Sequence, residues 1–242
     1  MAKLEIVPED WNTALAVVAH PDDLEYGASS AIAKWTSQGK KISYLLVTEG
    51  EAGIEGMHPD EVGPLRRDEE IRSARVVGVD TVEFLDHRDG LVEASIDLRR
   101  DLARAIRRHK PDVLIAANFR ENFGMPGWNH VDHRNTGVAL LDAARDAANS
   151  WVFPELIDEG LERWAGVRMA IFANSPDATH YTDVTEHIDA GVASLREHKV
   201  YLEALSEGTA GKDPEPFLKN SANAVGTRVG VEYAVAFELI PL

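Results

Sequence analysis

The stretch Ala14-Leu15-Ala16-Val17-Val18-Ala19-His20-Pro21-Asp22-Asp23 decides how this chain reads. Its first six residues are apolar, the pattern of a strand covered on both faces. A histidine and two carboxylates follow at once, with Pro21 fixing the backbone between them. In open parallel sheets, ligands bind at the carboxyl ends of the strands. Two groups able to bind a metal and one spare carboxylate are thus delivered to one spot on a rigid element. A polar loop with an acid at a helix N-terminus would explain a lone Asp-Asp pair, but His20 beside both acids favours a metal site.

Working outward, apolar strand runs alternate with helical patterns. Residues 28–35 read as a helix closed by Gly39, and 42–47 as the next strand. A Gly-rich loop covers 49–63. Residues 65–77 are helical and stop at Gly78. Strands at 82–85, 113–117 and 168–173 flank helices at 96–108 and 136–148. Residues 187–205 have the pattern of one amphipathic helix, 208–216 of a loop, and 233–239 of a terminal strand. This alternation predicts an α/β fold: a Rossmann-like, mostly parallel sheet with helices on both faces and an active site at the carboxyl ends of the strands. No repeat or linker divides the chain, so a single domain over 1–242 is expected. The first turn lacks Gly-x-Gly-x-x-Gly, no Walker A sequence occurs, and Asp22 and Asp23 would repel a cofactor pyrophosphate.

Composition narrows the function further. The net charge of -16 argues against nucleic acid and anionic membrane surfaces as partners. The chain has no cysteine, so any metal must sit on His, Asp or Glu. The mixed, charged start Met1-Ala2-Lys3-Leu4-Glu5 does not read as a secretory leader, and no apolar run is long enough to form a transmembrane segment. A cytoplasmic location is expected. Homo-oligomerisation is left open.

A second cluster, Trp128-Asn129-His130-Val131-Asp132-His133-Arg134, follows the strand that ends at Ala117 and so belongs to the same sheet edge. If it is helical, His130 and His133 face one side. One can bind metal while the other works on substrate, and Asp132 can accept an imidazole N–H and fix its tautomer. Two histidines and a carboxylate with an open position match catalytic zinc, and equally the facial triad of non-haem iron(II) oxygenases. The extra carboxylate favours a hydrolase, because Asp22 beside Asp23 is placed to act as a base. A non-catalytic sugar- or metal-binding protein would need neither Asp22 nor His130.

Ala-His-Pro-Asp-Asp after the first strand, with His-x-Asp-His downstream, resembles the PIG-L / LmbE-like family of zinc-dependent N-deacetylases. Residues 47–53, with Glu51, resemble its Thr-x-Gly-Glu segment. Arg66 with Glu69 resembles its Arg-x-x-Glu helix, and Asp89-Gly90 its Asp-Gly after the third strand. The resemblance covers roughly 15–137, with a faint echo around His198. It implies one Zn2+ per chain on His20, Asp23 and His133, with Asp22 as general base. It implies His130, protonated, as the electrophile and acid facing the tetrahedral intermediate. Arg66 and Asp89 match positions that contact the sugar. The substrate implied is a small N-acyl amino sugar such as an N-acetylglucosamine conjugate, or a thiol-sugar conjugate cut by an amidase on the same site. Trp128 stands where some members have a Tyr, and an indole N–H can donate a hydrogen bond but transfers no proton. Without the resemblance, 66–70 (Arg-Arg-Asp-Glu-Glu) reads as a solvated helical face, and His109 as a partner for the last carbonyls of its helix. The loop 51–63 reads as a lid or rim.

Overall fold

The computed structural model describes residues 3–124 and 126–242; Met1 and Ala2, the start of the charged N-terminal stretch, lie outside them. The elements run β1 (Glu5–Ile6), β2 (Thr13–Val18), α1 (Ser29–Ser37), β3 (Lys41–Leu46), α2 (Pro59–Val76), β4 (Thr81–Phe84), α3 (Ile96–His109), β5 (Val113–Ala117), α4 (Val131–Ala147) and α5 (Glu155–Asp158). They continue with β6 (Met169–Ala173), β7 (His180–Asp183), α6 (Ile188–Leu195), α7 (Lys199–Ala204), α8 (Pro214–Val229) and β8 (Ala234–Pro241).

The strands form one sheet in the order β1-β7-β8-β6-β5-β2-β3-β4. Strand β2 lies between β3 and β5 and is parallel to both. The chain winds from β2 out to β4 on one side, then returns to build β5 and β6 on the other. The winding therefore reverses between β2 and β5. Such a switch point leaves a crevice at the carboxyl ends, where α/β folds bind ligands. Both sequence clusters open there, one after β2 and the other after β5.

The apolar run in β2 is explained by its two covered faces. Ala14, Ala16 and Val18 pack into a core with Ile32 and Trp35 of α1. Leu15 and Val17 pack into the opposite core with Leu102 and Ile106 of α3 and Leu140 of α4. Helices thus cover both faces, and a strand between them must be apolar at every position rather than at alternate ones.

Several elements differ from the sequence reading. Helix α2 starts at Pro59, inside the expected loop. Pro59 occupies its first turn, where a missing N–H costs nothing, and His58 caps it by accepting the Asp60 N–H at 3.3 Å. A Cβ on Gly63 would lie 2.6 Å from Glu49 Oε2, so only glycine lets the helix approach the loop there. The single helix expected over 187–205 is two, α6 and α7, broken at 196–198, and the break buries His198 completely. Helix α8 has no counterpart in the sequence reading. Its buried residues are few (Pro214, Leu218, Ala222 and Gly226), and two prolines and a glycine make it look like a loop. Strand β7 is polar and equally silent, yet β8 pairs antiparallel with it and with β6. His109 bonds Glu83 Oε1 at 3.0 Å. No helix among the described residues is long and apolar enough to cross a membrane.

Candidate metal centre and active-site cavity

Past β2 the chain turns tightly. Asp23 Oδ2 accepts the N–H groups of Ala19 and His20 at 3.1 and 3.0 Å. Asp22 sits at φ 101, in the left-handed region that a carboxylate side chain rarely adopts. Three contacts hold it there. Its N–H donates to Glu70 Oε2 at 3.3 Å, Arg66 donates to the Pro21 carbonyl, and Arg66 Nη2 lies 3.2 Å from Asp22 Oδ2. Gly50 and Gly53 press against the same guanidinium, and a Cβ on either would collide with it.

The second cluster opens α4. His130 is the N-cap, its Nδ1 accepting the Asp132 N–H at 3.3 Å, so its ring proton sits on Nε2. His133, in the first turn, faces the β2 turn. His20 Nδ1 lies 3.2 Å from His133 Nε2, and His133 Nε2 lies 3.0 Å from Asp23 Oδ1. Donor atoms of the three residues all fall within 4.8 Å of one another.

The far side of each ring is tied down. His20 Nε2 faces Asp89 Oδ1 at 3.1 Å and Asp132 Oδ2 at 3.2 Å. His133 Nδ1 donates to Asn129 Oδ1 at 2.9 Å. With those nitrogens protonated, the inner ones present lone pairs to each other and to Asp23. Such an arrangement is repulsive unless a cation sits among them, and the donor set, two nitrogens and a carboxylate with space beside them, suits a catalytic divalent metal. Asp132 is fully buried and also accepts the N–H groups of Gly90 and Val92 at 2.7 and 3.1 Å.

The electrostatics follow from this crowding. Burial alone would raise the Asp23 carboxyl, but the His133 charge and hydrogen bonds from His133 and His20 hold it well below the usual range. Burial raises Asp22, opposed by Arg66 and reinforced by Asp23. His20 is pushed down by burial but carried well above its ordinary value by Asp132, Asp23 and Asp89. His130 is lowered, by burial and by the charge on His20.

A cavity of about 1140 Å³ opens on the cluster, lined at this end by His20, Asp22, Asp23, Asp89, His130 and His133. Arg66 reaches its wall but is itself buried and spent on protein acceptors, with Tyr201 stacked 4.2 Å from the guanidinium. Glu51 accepts the Asp89 N–H at 2.8 Å, and Asp89 in turn accepts the Ala52 N–H at 2.9 Å, so Glu51 positions Asp89. Trp128 is 67% exposed under the Arg134 guanidinium and does not line the cavity.

Three supporting residues carried no sequence signal that was read. Asn129, four residues before His133, bonds its ring and anchors itself to the carbonyls of Asn118 and Arg120. Glu70 and His198 form, with Glu25, a buried group behind Asp22. The stretch 66–70 is not a solvated face, since Arg66, Glu69 and Glu70 are all buried.

Fold and donor set together define a Rossmann-like α/β hydrolase of the metal-dependent deacetylase class. A family profile described as PIG-L, GlcNAc-PI de-N-acetylase, matches residues 15–144, and the chain belongs to that family. It is 24% identical to a diacetylchitobiose deacetylase of Thermococcus kodakarensis, over 96% of this chain and 84% of that one. It is 25% identical to a 1D-myo-inositol 2-acetamido-2-deoxy-alpha-D-glucopyranoside deacetylase of Thermomonospora curvata, over 90% and 88%. The N,N'-diacetylchitobiose deacetylase of Pyrococcus horikoshii superposes with TM-score 0.85 at 26% identity, covering 96% of this chain and 85% of that one. A 4-carboxy-2-hydroxymuconate hydratase of Pseudomonas putida shares the fold at TM-score 0.75 and 20% identity, covering 95% and 96%, so the fold alone does not assign the reaction.

Proposed function

We propose that this protein is a zinc-dependent N-deacetylase of an amino-sugar conjugate, with His20, Asp23 and His133 as the metal ligands. The observation that carries the reading is the convergence of His20 Nδ1, Asp23 Oδ1 and His133 Nε2 with the opposite ring nitrogens tied, beside a carboxylate that binds nothing in that set. A zinc ion held there supplies Lewis acidity to the acyl carbonyl and to the attacking water.

The chain's own residues do the rest. Asp22 takes a proton as the water oxygen bonds the acyl carbon, and its raised pKa brings it toward the range where a base also returns a proton. The C–N bond then breaks, Asp22 gives that proton to the leaving nitrogen, and the products are a carboxylic acid and a free amine. His130 donates its Nε2 proton in a hydrogen bond to the developing oxyanion. Its lowered pKa makes it a neutral donor rather than the protonated acid implied by the family resemblance. A single such donor is worth about 2.7–4 kcal/mol in other enzymes. Asp89, held by Glu51 and Ala52, is placed to orient the sugar.

The test is metal content by elemental mass spectrometry beside amine release from N-acetylglucosamine, diacetylchitobiose and an N-acetylglucosaminyl inositol. One zinc per chain with amine release is the expected result. Iron with oxygen-dependent turnover, or no amine from any substrate, would overturn it. Release from a thiol-sugar amide alone would move the reading to the amidase.

A further inference from the structure

The cavity is larger than the chemistry at one end of it requires. At about 1140 Å³ it slightly exceeds the range of roughly 300–1,000 Å³ usual for small-molecule sites. Its charged lining is concentrated around His20 and Asp22. Beyond Tyr26 the wall becomes apolar: Ile188 at the start of α6, Leu205 after α7, and Phe217, Leu218, Ala222 and Val225 of α8. Tyr26 joins the two halves. Its hydroxyl donates to the Gly211 carbonyl at 3.3 Å, its ring meets Phe217 edge-on at 5.6 Å, and the Asp22 charge together with burial raises its pKa. Arg228, exposed, lies at the arm's far end.

We infer that the substrate carries an apolar group joined to its amino sugar, and that this group fills the arm between Tyr26 and α8. The inference rests on the deacetylase reading. Its occupant is fixed by continuity: a sugar whose amide sits at His20 and His133 has its remaining substituent directed into the same cavity. Every arm residue named lies beyond the 15–144 segment that defines the family, so the arm belongs to this chain's selectivity rather than to the shared chemistry. The apolar group has two chemical sources, an alkyl or aryl aglycone on the glycosidic oxygen or a long acyl chain on the nitrogen.

Calorimetry with glucosamine and its octyl glycoside, which contain no amide, reads the aglycone source without turnover. The ratio of kcat/KM for N-octanoylglucosamine over N-acetylglucosamine reads the acyl source. A gain of at least about tenfold in one of the two supports the arm, since two buried methylenes suffice for it. Val225→Asp, which charges the arm, and Ser221→Trp, which fills it from an exposed position, should each remove the gain. Both should leave N-acetylglucosamine turnover within about twofold, as neither residue contacts the metal-ligand set. Equal affinities and equal kcat/KM, or a gain that survives both variants, overturns the inference. Octyl glycoside binding that Val225→Asp abolishes, in a protein releasing no amine, upholds the arm and refutes the deacetylase reading instead.

Discussion

Two histidine–carboxylate clusters flank Asp22, and they are built from the same kinds of residue. His20, Asp23 and His133 form one; Glu25, Glu70 and His198 form the other, and within each the ligand atoms lie within 4.8 Å of one another. They differ in what surrounds them. In the first, an outside partner occupies the far nitrogen of each ligand imidazole and fixes which lone pair faces inward. In the second, neither ring nitrogen of His198 has a hydrogen-bond partner among the described residues, and the nearest carboxylate oxygens stand 3.6 and 3.8 Å from Nε2. The first lines the cavity with partly exposed side chains, whereas His198, Glu25 and Glu70 are at most 1% exposed. Their acids diverge accordingly. Asp23 is held ionised, while burial and the neighbouring Glu25 charge push Glu70 well above the usual carboxyl range, so that it retains a proton. Ligand-type residues become a metal centre only when their lone pairs are pinned and reachable. Otherwise they share protons and support backbone.

The sharpest way to break this contrast is to remove a ligand from the first cluster. His133→Ala should lower metal content from one per chain to near zero and turnover to background, measured by elemental mass spectrometry on folded protein. Full metal retention would dissolve the distinction, as would a count of two metals in the unmutated protein. Asp22→Asn comes next. It keeps the ligands but removes the base, so metal should stay at one per chain while kcat drops by about 10²–10⁴. Activity near that of the unmutated protein would show that Asp22 is not the base.

Pinning itself is tested by Asn129→Ala, which frees the far nitrogen of His133 without touching a ligand. Zinc affinity should weaken by about 10–100-fold, read by competition with a chromophoric chelator. The same titration carries a pH signature. In the metal-free protein His20 and His133 are raised above the ordinary imidazole pKa, so they hold protons that zinc must displace. Affinity should therefore fall as the pH is lowered, with proton release on loading. The sign for folding is opposite. The raised imidazoles stabilise the metal-free fold below their unfolded pKa, and that contribution is lost as the pH rises through the folded one. A zinc affinity flat from pH 5.5 to 8 (on the order of no change per unit) would contradict the tied tautomers.

Much of the first cluster is legible in the sequence because its residues are contiguous with strong elements. The unbroken apolar run of β2 announces a strand covered on both faces, and His20 to Asp23 follow it directly. His130 and His133 sit at the start of α4, just as their spacing suggests. The second cluster is not legible, because burial at its positions is set by partners far away in sequence. Glu69 and Glu70 lie in a run of charges that any pattern rule assigns to solvent. They are buried because α2 packs against α6 and α7, which themselves read as one helix. Asn129 was passed over for a related reason: an asparagine two residues before a helix looks like a cap, and only the fold shows it reaching His133. The arm of the cavity depends on α8, whose sparse apolar residues give almost no period to read.

The smallest effect falls on the second cluster. Glu70→Gln keeps the shape of a protonated Glu70 and leaves an amide oxygen to accept the Asp22 N–H. If the cluster shares a proton, this variant should fold with metal content unchanged and kcat lowered by no more than a few fold, because the φ 101 turn at Asp22 stays supported. Glu70→Ala removes the acceptor and strands a buried N–H, a loss of about 1–3 kcal/mol by thermal or urea unfolding. Its activity should fall through kcat rather than KM, since the displaced group is the base and not a substrate contact. A Glu70→Gln protein that lost a metal equivalent would make the second cluster a metal centre after all, and the contrast would then lie in access alone. Equal behaviour of the Gln and Ala variants would show instead that Arg66, through Pro21 and Asp22, holds the turn without help from Glu70.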